Sequence, residues 1–367
     1  MRTNHSMLFS PYTLGNLHLA NRIVMAPMTR SRALGNVPNK LMEDYYSQRA
    51  TAGLIITEGT SPSANGLGYP RIPGVYSPAQ ITKWKKVTDA VHENGGKIFV
   101  QLMHTGRITH PLNLPAGAKV VAPSAIAAAA TEMYTDAEGM KPLPVPQALT
   151  NETIADTIAE FVHSAKAAIE AGFDGVELHG ANGYLLDQFL NPASNIREDS
   201  YGGSIENRNR FMIEVATAVA NAIGKEKVGI RLSPFGAFNE MVSDDKTADQ
   251  FTALAAALKN TGIVYIHLVD HSSMGAPAVP QFVKDGIRKA FGGTIILSGG
   301  YDADRAEADL EAGKGELVAF GKSFISNPHL VERLQTGTAL AAPDFNTFYT
   351  PGEKGYTDYA VAENILA

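Results

Sequence analysis

The chain has 367 residues, 44% of them hydrophobic, with a formal charge of −6 and no cysteine. That apolar content suffices for a large core, and the length suits two average domains or a single α/β barrel. The missing thiols exclude disulfides, thiolate nucleophiles and thiolate-bound zinc or iron–sulfur centres, while the mild, dispersed charge excludes the basic footprint of a nucleic-acid binder and argues against an anionic membrane surface.

The start, Met1-Arg2-Thr3-Asn4-His5-Ser6, leads into no apolar stretch of the signal-peptide kind, and no apolar run reaches membrane-spanning length. A cytoplasmic protein without membrane partners is expected. Residues 8–20, Leu8 to Ala20, read as a β-hairpin turning at Gly15-Asn16 and placed to close the bottom of a barrel. Beyond it, short apolar runs alternate with longer helical patterns eight times. The runs are Ile23–Ala26, Leu54–Thr57, Ile98–Val100, Gly175–Leu178, Val228–Leu232, Val264–Leu268, Thr294–Leu297 and Leu317–Phe320. None alternates apolar with polar as a half-wet strand would, which is the pattern of a parallel sheet covered on both faces.

Between the runs, Ile154, Ile158, Phe161, Val162, Ala165 and Ile169 fall on one helical face, and Gly172 is placed to end that helix. Phe211, Val215, Ala218 and Ala222 make a second stripe after a cap at Ser204. Strict strand–helix succession predicts a closed (β/α)8 TIM barrel, here one domain over residues 1–367, rather than an open doubly wound sheet. No G-x-G-x-x-G follows the first strand, which weakens the open-sheet alternative. Residues 104–150, rich in proline and alanine, form a long insertion after strand three. Insertions of that length are usually functional, and an active-site cap is expected. The tail after Pro343 reads as loop, with Phe345, Phe348, Tyr349, Tyr356 and Tyr359.

Side chains at the C-terminal ends of barrel strands converge on one site. Here those ends read Pro27-Met28-Thr29, Gly59-Thr60, Gln101, His179 with Asn182 and Tyr184, Arg231, Asp270-His271, Ser298-Gly299-Gly300 and Gly321-Lys322. The last two fit a phosphate site: the glycines leave backbone N–H groups uncovered, Lys322 adds a cation, and strands seven and eight are where barrels commonly bind phosphate. The alternative is that the glycines serve only tight turns. Gln101 and Arg231 suit the edge of a planar heterocycle, one donating and accepting, the other polarising a ring nitrogen or carbonyl. The competing reading places Arg231 in an ion pair with Glu58 or Glu177.

His179 and Asn182 supply donors that stabilise developing enolate charge on one oxygen, and Tyr184 is a proton donor to carbon. Against this stands a core histidine bonded to a backbone carbonyl. His267 and His271 flank Asp270, but residues four apart on a strand lie about 13 Å apart, so no metal site is expected. His104 and His110 read as solvated residues of the insertion.

With these residues assembled, the chain resembles the Old Yellow Enzyme family of FMN-dependent ene-reductases over nearly its whole length, and within it the N-ethylmaleimide reductase-like and pentaerythritol tetranitrate reductase-like members. The resemblance is carried by Asn21–Arg30, Gln101–Arg107, His179–Leu190, Asn195–Ser204 and Gly321–Pro328. It implies FMN as the bound heterocycle and NADPH or NADH as reductant. Pro27, Met28 and Gly59 would line the ring, Thr29 and Gln101 bond its edge, and Arg231 stabilise negative charge near N1. Ser298, Gly299, Gly300, Gly321 and Lys322 would hold the phosphate.

It further implies that His179 and Asn182 bind the substrate oxygen, that hydride passes from flavin N5 to the β carbon of an activated C=C in an enone, enal, maleimide or nitroalkene, and that Tyr184 protonates the α carbon. Tyr69 and Tyr349 are expected to line the substrate pocket. Lys322 stands where many relatives carry arginine, Met103 where close relatives carry tryptophan, and Asn182 where others carry histidine. Two other readings of the residues are a flavin-free barrel lyase or isomerase acting on a phosphorylated substrate, and a flavin-binding protein without physiological turnover. A monomer or homodimer is expected.

Overall fold

All eight apolar runs are parallel strands in the computed structural model of the chain, which describes residues 5–361. Met1–Asn4, most of the start read above as lacking a leader, lie outside the described residues. The strands are β1 (Ile23–Met25), β2 (Leu54–Thr60), β3 (Ile98–Leu102), β4 (Gly175–Gly180), β5 (Val228–Leu232), β6 (Tyr265–Val269), β7 (Thr294–Ser298) and β8 (Leu317–Phe320). Each pairs with the next and β8 pairs with β1, closing the expected (β/α)8 barrel.

The continuous apolar runs follow from this closure. Ile23, Met25, Ile55, Val100 and Ile230 point outward against the helices. Val24, Leu54, Ile56, Phe99, Tyr265 and Ile296 point inward and fill the lower barrel. Leu14 and Leu19 join that inner cluster from the hairpin Tyr12–Leu14/Leu17–Leu19, which plugs the bottom as anticipated. The inward positions nearer the C-terminal ends carry polar groups instead: Gln101, Glu177, His179, Arg231 and His267, all buried. The barrel is thus oily below and polar at its mouth.

Helix Asn151–Glu170 is capped by Thr150 and Thr153, buries Ile154, Phe161 and Ala165, and is followed by Gly172; Ile158, Val162 and Ile169 only flank that face. Ser204 caps helix Ile205–Ile223, its Oγ accepting from Asn207 N at 3.2 Å. The buried stripe there differs from the expected one. It runs through Phe211, Met212, Val215, Ala216, Val219 and Ala220, leaving Ala218 and Ala222 half-buried. Met212 and Val219 carry more apolar area than two alanines, and the helix rotates to bury them.

Residues 104–150 contain a hairpin, Glu132–Thr135 with Gly139–Pro142, and a short parallel pair, Val121–Ala122 with Gln147–Ala148. Met133 packs with Ile108, Leu143 and Tyr184, which brings the insertion over the barrel mouth. Among its described residues, the tail beyond residue 343 has one 3-10 turn, Phe345–Thr347. Two buried arginines hold it. Arg30 donates to Gly355 O (2.7 Å), and Arg32 to Thr347 O (2.8 Å), Phe348 O (2.7 Å) and Lys354 O (3.0 Å). Tyr356 stacks on Tyr45, ring centroids 4.0 Å apart. No helix among the described residues is long and apolar enough to cross a membrane.

Candidate active site

A cavity of about 1150 Å³ opens at the C-terminal ends of the strands. Its floor is set by strand register. His179 on β4 lies beside Arg231 on β5, which lies beside His267 on β6. Two residues earlier on β4, Glu177 also points inward. It accepts from Gln101 Nε2 (2.8 Å) and Tyr265 OH (3.1 Å), and bonds His267 Nδ1 (2.9 Å). Glu177 is spoken for by these partners, and Glu58 by Arg30 N and the Tyr46 hydroxyl.

Among the described residues Arg231 therefore forms no ion pair, contrary to the ion-pair reading, and feels the Glu177 charge only without direct contact. It is 7% exposed and its Nε lacks a protein acceptor. A buried guanidinium in that condition calls for an electron-rich or anionic group in the cavity. Gln101 commits one amide N–H downward to Glu177, which leaves Oε1 and the second N–H for a ring edge.

His179 Nδ1 is buried without a partner, so the core-histidine reading, which needs a backbone carbonyl there, does not hold. Burial, then the charges of Arg231 and the neighbouring histidines, hold the imidazole far below its ordinary pKa, so it stays neutral. The turn after β4 presents the next two groups. Asn182 sits at φ +60° and Gly183 at φ +72°. A Cβ on Gly183 would lie 2.8 Å from Phe238 O, so only glycine fits where the turn meets that loop. Asn182 N donates to Ser233 Oγ and its C=O accepts from Asn239 Nδ2, each at 2.8 Å.

Tyr184 then begins helix Leu185–Leu190. Its ring lies 5.0 Å from that of His179, centroid to centroid, and its hydroxyl 2.9 Å from the Tyr69 hydroxyl. Burial raises the Tyr184 pKa, keeping the proton on the phenol.

The expected ring and phosphate residues line the same cavity: Pro27, Met28, Thr29, Gly59, Gln101, Arg231, Ser298, Gly299, Gly300, Gly321 and Lys322. Gly299 adopts φ +145°, and a Cβ there would lie 2.3 Å from Asp270 O. Glycine is therefore required there by the close approach of the turn after β6, as the tight-turn alternative has it, while the same residue also lines the cavity. Lys322 is exposed, makes no ion pair among the described residues, and reaches over the Phe345 ring at 5.4 Å.

Tyr69 is half-buried within the cavity, Tyr349 is 62% exposed at its rim, and Met103 lines the wall. The residue set fits a flat heterocycle with a polar edge over Gln101 and Arg231 and an anionic tail toward β7 and β8. His267 and His271 turn to different partners, Glu177 and Asn182, and among the described residues no group of three or more acids and histidines is arranged to hold a metal. His104, expected in solvent, is instead buried, its Nδ1 accepting from Gly106 N. His271, read at the end of strand six, does line the cavity, whereas Ser233 and Asn239, which bond the Asn182 backbone, and Met133, Tyr134 and Met140 of the insertion were missed by pattern reading.

Known proteins resemble the chain over nearly its whole length. The profile of the NADH:flavin oxidoreductase / NADH oxidase family matches residues 7–341. Chanoclavine-I aldehyde reductase of Penicillium roqueforti is 45% identical over 363 residues, 96% of each chain. The probable flavin mononucleotide-dependent alkene reductase of Leishmania infantum is 41% identical, covering 96% of this chain and 97% of its own. The solved structure of morphinone reductase in complex with tetrahydroNAD superposes with a TM-score of 0.93 at 44% identity, covering 97% of this chain and 98% of that one.

Proposed function

Because the chain belongs to the NADH:flavin oxidoreductase / NADH oxidase family, we propose that it is an FMN-dependent, NAD(P)H-consuming reductase of alkenes activated by a carbonyl, imide or nitro group. One observation carries the reading. Neutral donors on His179, Asn182 and Tyr184 share a cavity with a buried guanidinium that lacks an anionic partner. FMN, when bound, supplies a hydride to the β carbon of the substrate after taking one from NADPH or NADH.

The protein's own residues do the rest. Pro27, Met28, Thr29, Gly59 and Gln101 hold the ring, with Arg231 against its electron-rich edge. The backbone of Ser298, Gly299, Gly300 and Gly321, with Lys322, holds the phosphate. His179 and Asn182 grip the substrate oxygen and stabilise the negative charge that grows on it. Tyr184 keeps its proton through burial and delivers it to the α carbon. The hairpin Glu132–Pro142, Tyr69 and Tyr349 wall the substrate side, and residues 104–150 act as a cap that excludes water. The enzyme is one barrel domain working on small molecules in the cytoplasm.

The test is optical. The purified protein is yellow, is bleached anaerobically by NADPH or NADH, and recovers its colour on addition of 2-cyclohexenone. A colourless protein that stays so when FMN is added, or a bleached one that no activated alkene reoxidises, overturns the reading.

A further inference from the structure

The Asn182 carboxamide has a donor end and an acceptor end, exchanged by a half-turn of the amide plane. Turned one way, Nδ2 meets the substrate oxygen; turned the other, Oδ1 faces it and repels it. The backbone cannot make that choice, although Ser233 and Asn239 fix it firmly on both sides. The choice is made by His271, whose Nε2 lies 2.7 Å from Asn182 Oδ1.

A carbonyl oxygen only accepts, so that imidazole nitrogen carries the proton. The turn that carries His271 is anchored through its neighbour Asp270. His271 opens that turn after β6, where Asp270 accepts from Ser272 N (3.0 Å) and from Lys284 Nζ (2.6 Å). We propose that His271 is a positioning residue: it holds the Asn182 carboxamide with Oδ1 turned to the imidazole, so that Nδ2 is the donor offered beside His179 to the substrate oxygen. The inference rests on the reading of the site given under Proposed function. Burial, with the Arg231 charge adding to it, holds the His271 pKa down at about 4, so the ring is neutral at working pH and has one N–H, on Nε2 in the proposed arrangement.

The experiment measures the dissociation constant of p-hydroxybenzaldehyde on the FMN-loaded enzyme, from the change in flavin absorbance, with enone turnover alongside. His271→Phe keeps a ring and loses the donor; it weakens phenol binding about three- to tenfold, the range for one orienting hydrogen bond. His271→Gln restores an N–H and recovers most of the loss. In an Asn182→Ala background, His271→Phe has no further effect, because nothing is left for it to orient.

Equal weakening in both backgrounds, or none in either, overturns the proposal while leaving the functional reading intact. The functional reading itself fails if Asn182→Ala and His179→Ala bind the phenol and reduce enones as the wild type does. A measurement independent of any variant's folding is nitrogen-15 NMR of the wild-type holoenzyme. It finds the His271 proton on Nε2, and a proton on Nδ1 alone sinks the idea.

Discussion

The hydroxyl oxygens of Tyr69 and Tyr184 lie 2.9 Å apart, their rings edge to face at 79°. Burial pushes both pKa values above the ordinary phenol value, so the pair holds two protons at neutral pH. One of them bridges the oxygens. When Tyr184 gives its proton to carbon, Tyr69 becomes the donor to the phenolate left behind. Tyr184→Phe is therefore expected to slow reoxidation of the reduced enzyme by enones more than by nitroalkenes, whose anions last long enough to be protonated by water. Tyr69→Phe slows the enone reaction in the same direction by about tenfold or more, the range for a hydrogen bond to a charged acceptor. Stopped-flow reoxidation rates decide it. Equal slowing of enones and nitroalkenes assigns both tyrosines to substrate placement alone.

In the proposed mechanism His179 is a neutral donor, with consequences for pH as well as for substitution. Its pKa lies well below the ordinary 6.5, burial being the first cause, so it does not ionise as pH rises from about 5.5 to 8. In that interval kcat/KM for enones carries no ionisation belonging to this residue. His179→Ala removes an oxyanion donor and lowers kcat by about 10²–10³, or about 2.7–4 kcal/mol. A step near pH 6.5 in the wild type that vanishes in His179→Asn contradicts the neutral assignment.

Much of this was legible beforehand because a barrel imposes it. Strands buried on both faces are apolar at both parities, so all eight announced themselves, and their polar ends had to converge. What stayed hidden depended on side chains meeting across long separations. The three residues that hold Asn182 stand 51, 57 and 89 positions away. Arg30 and Arg32 gave no sign of their work, because a buried arginine is ordinarily looked for beside an acid, and these bind tail carbonyls. The commitment of Gln101 to Glu177 was closer to reach. Glu177 is two residues before His179 and must share its inward face.

In the proposed site Arg231 is a buried cation placed to face the electron-rich edge of the ring. Replacing it with methionine keeps the length and removes the charge, so FMN becomes harder to reduce. A charge-assisted hydrogen bond of about 1.5–3 kcal/mol corresponds to a fall of roughly 30–65 mV in the two-electron potential. Spectroelectrochemistry of the bound flavin measures it. An unchanged potential places Arg231 away from the ring.

In the proposed site Lys322 would offer the phosphate an exposed point charge where a bidentate fork would grip harder. Lys322→Ala raises the FMN dissociation constant, and the rise shrinks as ionic strength increases, because screening falls on an exposed charge. Titration of apoprotein with FMN at low and high salt tests this. Equal affinities in both proteins at low salt move the phosphate elsewhere.

Asp187 couples the active-site turn to stability. Its carboxylate accepts from Gly183 N at 2.8 Å, and burial raises its pKa from 3.8 to about 7. Between those values the folded chain keeps a proton that the unfolded chain has lost, so stability falls as pH rises through that window and levels off above about 7. The full span is on the order of 4 kcal/mol. Asp187→Asn keeps an oxygen for Gly183 N and cannot ionise. Its unfolding free energy, relative to wild type, therefore grows from acid to neutral pH and then stays constant, whatever fixed offset the extra N–H group introduces. Urea unfolding of both proteins across that range supplies the comparison. Two parallel curves mean that Asp187 ionises as an ordinary carboxylate and that the turn holding Asn182 and Tyr184 bears no such load.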